Sequence, residues 1–228
     1  MSSTASSEIE VVRHARARGY KLSVDPATGK ARLTVPTRAA LKPALAWARG
    51  KEEWLAEQRA RLPTPRPFVD GAVLPVADQD LRIVREAGSR RALTRDGDRL
   101  MVAGAEETVA RRIEAWLRRE ALTLLSAETH EIAAKAGVTV HHVAVGDAKG
   151  RWGSCASSGT IRYSWRLLLA PGHVRRATVA HEVAHRVHMN HGPAFHALVA
   201  ELFGRDPAPA RAWLRAHGAS LHWFGKAS

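Results

Sequence analysis

Ala180-His181-Glu182-Val183-Ala184-His185-Arg186-Val187-His188-Met189-Asn190-His191-Gly192-Pro193 is the stretch from which the rest of the chain can be read. On a helix, His181 and His185 stand one turn apart and project from one face. Two imidazoles so placed can hold one tetrahedral zinc at ~2.0–2.1 Å. Glu182 can then reach a water on the metal, whose pKa zinc lowers to ~7, and take its proton as attack begins. The H-E-x-x-H spacing is therefore a mechanical requirement of that chemistry. With 12 histidines in 228 residues, chance supplies the pentapeptide only roughly 0.04 times. Val179, Val183 and Val187 form an apolar stripe opposite the histidines, while Ala177, Ala180 and Ala184 line the histidine side. A helix apolar around most of its circumference is expected to be buried. Buried histidines and a buried glutamate need partners.

A catalytic zinc takes three protein ligands and keeps one position open. Four residues downstream are candidates for the third: His188, His191, His196 and Glu201. His188 lies one turn further along the same helix, awkward for closing a tetrahedron. The helix is expected to end near Asn190, and Gly192-Pro193 would fold the chain back toward the metal. His191 is therefore the first choice, with His196 and Glu201 as alternatives on a following helix.

Upstream, Pro171 opens the motif helix at a position where a missing amide costs little. Val138–Val145, Arg151–Cys155 and Thr160–Leu169 read as strands, and Glu106–Ala136 as a long helix stopped by Gly137. Downstream, 193–203 and 209–217 read as shorter helices. The segment Arg151-Trp152-Gly153-Ser154-Cys155 would form a strand near the motif helix, able to bind an extended peptide by strand addition. Arg151, Trp152 and Tyr163 are candidate substrate or oxyanion contacts. The competing reading is that Trp152 and Trp165 are core and that Ser154 and Cys155 only pack. Cys155 lacks a dedicated base and is read as a small buried hydrophobe.

Toward the N-terminus, Ile9–Arg13, Tyr20–Val24 and Ala31–Val35 alternate as strands, with Asp25–Gly29 a turn. Helix follows over 38–61, divided near Gly50. Leu62-Pro63-Thr64-Pro65-Arg66-Pro67 cannot continue it and is the clearest linker. Ala72–Val76, Leu81–Arg85, Arg90–Thr94 and Arg99–Ala103 then read as four strands, the last two joined by the hairpin signal Asp96-Gly97. Met1–Ser7 reads as a loose tail without the pattern of a secretory signal. The expected division is a tail at 1–7, a β-rich module with a helical insertion at 8–104, and a second domain at 105–228.

There are 35 basic and 22 acidic residues, for a net charge of +13. Such a surface attracts polyanions, so nonspecific nucleic-acid binding is expected; the bland alternative is arginine scattered over solvated faces. A single cysteine excludes an intrachain disulfide and suits the cytoplasm. No stretch approaches the ~18 apolar residues of a membrane span.

The run from His181 to Phe195 resembles the YgjP-like zinc metallopeptidases, relatives of the WLM and SprT/Spartan-type proteases. Arg151-Trp152-Gly153-Ser154-Cys155, Trp165-Arg166-Leu167, Leu169-Ala170-Pro171 and Trp213-Leu214-Arg215 match the family's other landmarks, so the resemblance covers nearly the whole chain. It implies that His181, His185 and His191 hold one zinc per chain and that Glu182 is the catalytic base. Where the family has Ser and Trp after the third histidine and the Phe, this chain has Gly192, as in SprT-type proteins, and His196. The resulting expectation is an α+β chain whose zincin-like domain packs a small antiparallel sheet on the motif helix. Its expected activity is hydrolysis of a peptide or protein. Two other functions fit the same residues. One is a metal-dependent hydrolase of nucleotides or phosphoesters; the other is a non-enzymatic nucleic-acid-binding protein with structural zinc. The second has no need of Glu182.

Overall fold

The structure, a computed structural model, describes residues 9–86 and 93–227. The expected tail at 1–7 and the first part of the expected strand Arg90–Thr94 fall outside them. Two compact units divide between Thr64 and Pro65.

The first unit holds β1 (Ile9–His14), β2 (Lys21–Val24), β3 (Ala31–Pro36), α1 (Leu41–Arg49) and α2 (Glu52–Ala60). Strand β3 is central, parallel to β1 and antiparallel to β2. Its alternation puts Ala31, Leu33 and Val35 inside, where Leu33 and Val35 meet Ala44 and Ala48 of α1. The turn before β3 closes as its residues dictate: the Asp25 carboxylate accepts from the Ala27 amide at 2.8 Å, and Gly29 takes φ +77°.

The second unit begins with β4 (Val73–Val76), β5 (Gln79–Glu86), β6 (Thr94–Asp96) and β7 (Arg99–Ala103), in sheet order β4-β5-β7-β6. The long helix α3 (Glu106–Ala136) follows and ends at Gly137, which takes φ +64°. Next come β8 (His142–Gly146), β9 (Gly153–Cys155), β10 (Thr160–Ser164), a 3-10 turn (Trp165–Leu169), α4 (Gly172–Ala184), α5 (Pro193–Phe203) and α6 (Ala208–Leu221). The chain is α+β.

The compact units therefore divide at the proline-rich linker and not near residue 104. Leu74, Leu81, Ile83, Leu100 and Val102 share one core with Ile113, Trp116 and Leu117 of α3 and with the residues of the 3-10 turn. The four-stranded sheet could not bury that face without α3, so the two fold together.

Two local expectations are corrected. The sheet beside α4 is mixed: β10 is antiparallel to β9 but parallel to β8. The strand expected over Thr160–Leu169 ends at Ser164, because Trp165–Leu169 coils into the 3-10 turn with all five side chains buried. A short continuous apolar run has no period that separates a strand from a buried turn. Arg166 explains the coil. Its guanidinium stacks on Trp165, pairs with Asp147 at 2.7 Å, and donates to the Leu221 and Phe224 carbonyls.

Helix α4 is gripped at its start. Ala77 and Asp78, at φ 49° and 66°, make the tight turn between β4 and β5. Asp78 accepts from the Gly172 amide at 2.6 Å, satisfying one of the helix's orphan donors. Arg175, one turn on, forms a buried pair with Glu128 of α3, at 3.0 and 3.2 Å to its two oxygens.

Candidate metal and catalytic site

Helix α4 carries Ala177, Ala180, Val183 and Ala184 into the core, which fixes the rotation of His181, Glu182 and His185. The helix ends sooner than expected, at Ala184, and the next residues close as tight turns. Val187 consequently leaves the expected buried stripe and stands 46% exposed. The early end lets residues 185–192 loop back. Gly192 is extended, and Pro193 then starts α5.

This return brings His191 to His181 and His185. One donor atom from each of the three imidazoles lies within 4.8 Å of the others, and Nε2 of His191 and of His181 are 3.3 Å apart. Ligands at ~2.0–2.1 Å from a tetrahedral zinc are separated by about 3.3 Å, so this spacing suits one ion. Among the described residues no other such group of histidine, cysteine or carboxylate donors occurs. Nδ1 of His185 lies 3.1 Å from the His188 carbonyl. A carbonyl only accepts, so Nδ1 carries the proton and Nε2 presents its lone pair. Burial and the neighbouring imidazoles hold His181 down to about 4, keeping it neutral and able to ligate. The donor set fits a borderline-soft dication such as zinc.

Phe195, fully buried on α5, floors the cluster: its ring centroid lies 4.9, 4.5 and 4.7 Å from those of His181, His185 and His191. His196 sits outside, exposed, its ring 6.3 Å from that of His191. Glu201 is exposed on α5 and is not part of the cluster.

Glu182 is 5% exposed. Burial pushes its carboxyl up to about 7, with the nearby charge of Arg151 pulling in the opposite direction. A dication bound at the three imidazoles would lower it further. Strand β9 crosses directly over this carboxyl. A Cβ built on Gly153 would lie 2.4 Å from Oε1 and 2.6 Å from Cγ of Glu182. Only glycine allows that approach. Gly153→Ala is therefore expected to leave a folded protein that keeps its metal while turnover falls at least tenfold. Assay and metal analysis of the same preparation would check this; full activity would mean that Glu182 works from another position.

The other candidates separate. Arg151 is exposed just before β9. Trp152 is half-buried, stacked on His222 at 5.1 Å and packed against Gly218 of α6. It also lines a cavity of about 270 Å³ together with Gly153, His181 and Glu182. Tyr163 points into the core. Thr129 Oγ1 gives its proton to the Leu125 carbonyl, so the Tyr163 hydroxyl, 3.0 Å away, donates to Thr129. Burial holds that phenol above its ordinary pKa, and the geometry removes it as an oxyanion donor. A larger cavity of about 470 Å³, bordered by Asp78, Leu169 and Phe224, contains neither the three histidines nor Glu182.

Residues 19–217 match the family model described as YgjP-like, metallopeptidase domain. The chain belongs to the YgjP-like metallopeptidase family. No curated protein and no solved structure matches it. As a YgjP-like protein it is a hydrolase of metallopeptidase type, and the histidine cluster lies within the matched residues.

Sequence reasoning left out three parts of this YgjP-like site. Gly153 carried a signal, a glycine inside a strand. Phe195 stands in an apolar helix where any large residue looks like core. Arg211, which borders the cavity, is one arginine among many in the sequence.

Proposed function

We propose that this YgjP-like protein is a zinc-dependent peptidase in which His181, His185 and His191 hold the ion and Glu182 is the general base. The observation that carries this reading is the convergence of three imidazole nitrogens beside a cavity that also contains a buried carboxylate. Zinc, when bound, supplies Lewis acidity toward a water and a peptide carbonyl. Glu182 accepts the proton of the attacking water, and its burial keeps its basicity near neutrality, where proton transfer in both directions is efficient. It can then pass that proton to the leaving amine.

Among the described residues strand β9 is an edge of its sheet, paired on one side with β10, so its outer side is open to an extended peptide. Such a peptide would run past Gly153 with its carbonyls close to Glu182. Arg151, exposed at the head of the strand, is then available to an oxyanion. Hydrolysis of phosphoesters has less support, because the cavity walls are mainly apolar. The charge of +13 supports nonspecific polyanion binding alongside peptidase activity. No helix among the described residues is long and apolar enough to cross a membrane, and the single cysteine supports a cytoplasmic setting.

Incubating the purified protein with a mixed peptide library and identifying products by mass tests the reaction. Cleavage that disappears on chelation and returns with one equivalent of zinc is expected. Chelator-insensitive cleavage, or none with zinc restored, would overturn the reading.

A further inference from the structure

Arg211 stands on the first turn of α6, exposed, at the border of the same 270 Å³ cavity that holds His181 and Glu182. Several arginines of the same unit are held by acids. Arg118 pairs with Glu114, Arg166 with Asp147, Arg175 with Glu128 and Arg176 with Glu131. Arg211 has no hydrogen-bonding or ionic side-chain partner among the described residues; its backbone amide donates to the Pro207 carbonyl. Behind it the cavity is apolar, walled by Trp152, Ala177, Val199 and Leu214. Its volume suits one side chain and falls short of the usual range for a drug-sized ligand.

We propose that this cavity and Arg211 form the subsite for the leaving side of a peptide, the cavity taking an apolar side chain next to the scissile bond and the guanidinium pairing with a carboxylate beyond it. The inference rests on the peptidase reading and adds a substrate class to it. A side chain seated in the cavity has its backbone beside Glu182, where cleavage would occur. A planar guanidinium matches a carboxylate with two parallel hydrogen bonds. The remaining walls offer too few donors for a phosphate. The carboxylate can come from the peptide's own C-terminus or from an acidic side chain, and the two sources imply different cleavage patterns.

The test is calorimetric titration of the zinc-loaded Glu182→Gln protein, which cannot consume its ligand. Three peptides separate the sources: acetyl-Ala-Leu with a free C-terminus, the same peptide as its amide, and acetyl-Ala-Leu-Asp-amide. At least one carboxylate peptide is expected to bind about 10- to 100-fold more tightly than the amide, the range of a charge-assisted hydrogen bond. Arg211→Ala, added to that protein, should shrink the ratio to about twofold or less, and Arg211→Lys should restore part of it. Preference for the free C-terminus alone would assign the terminal source, and preference for the aspartyl peptide alone the internal one. Equal binding of all three, binding of none, or a ratio that survives Arg211→Ala would overturn the inference. Failure of the peptidase reading is visible separately, as wild-type protein that hydrolyses no peptide while these ratios persist.

Discussion

Replacing Glu182 with glutamine is expected to lower kcat by about 10²- to 10⁴-fold, the contribution of a positioned general base, and to leave metal content and folding unchanged. Glutamine fills the same space under Gly153, where a longer or branched side chain would collide with β9. It keeps a hydrogen-bonding oxygen but cannot accept the proton of an attacking water. The proposed ligand nitrogens come from histidines on either side of it, so the metal should stay. A parallel assay of turnover and metal per chain checks both halves. Retained activity would remove Glu182 from the base role, and loss of metal would make it a ligand instead.

Glu128→Ala is expected to be the most damaging single change outside the site. The Glu128 and Arg175 side chains are 7% and 6% exposed, so the pair joins α3 to α4 away from water. Burial raises the Glu128 pKa although Arg175 and Arg176 pull it down. Forming the pair therefore gains little over an apolar contact. Breaking it is another matter, because Arg175 cannot shed its charge. Its Nη1 already lacks a partner, and Asp78, 3.5 Å away and half exposed, is the remaining acid close to it. Removing one member of a buried pair costs about 3–5 kcal/mol. For a unit of this size that lowers Tm by roughly 10 °C. Thermal and denaturant unfolding would measure the loss, and a change below about 1 kcal/mol would mean that water reaches Arg175. Replacing both residues with apolar ones of similar volume should recover much of the stability.

The features legible in the sequence are those with a period or a forced geometry. The alternation of β3, the stop at Gly137 and the pairing of His181 with His185 needed only local rules. The return of His191 was legible because glycine followed by proline ends one helix and begins another. Where a residue's place depends on a distant partner, local rules fell short. Trp165–Leu169 coils because Arg166 is held by Asp147 and by carbonyls from 221 and 224. Helix α4 stops at Ala184, although the residues that follow it are helix-compatible. The strands β4 to β7 read as the end of an N-terminal module closing at residue 104, yet their sheet shares its core with α3. Tyr163 reads as a candidate oxyanion contact, but its hydroxyl donates inward to Thr129, 34 residues earlier.

The metal content of the purified wild-type chain, measured beside His191→Ala, tests the site most directly. About one zinc per wild-type chain and clear loss in the variant is the expected result, since His191 and His181 nitrogens meet at 3.3 Å while His196 stands outside the cluster. Near one zinc in both proteins would contradict the three-histidine site and move the third ligand to His196 or Glu201. Absence of zinc from both would remove the metal from the mechanism altogether.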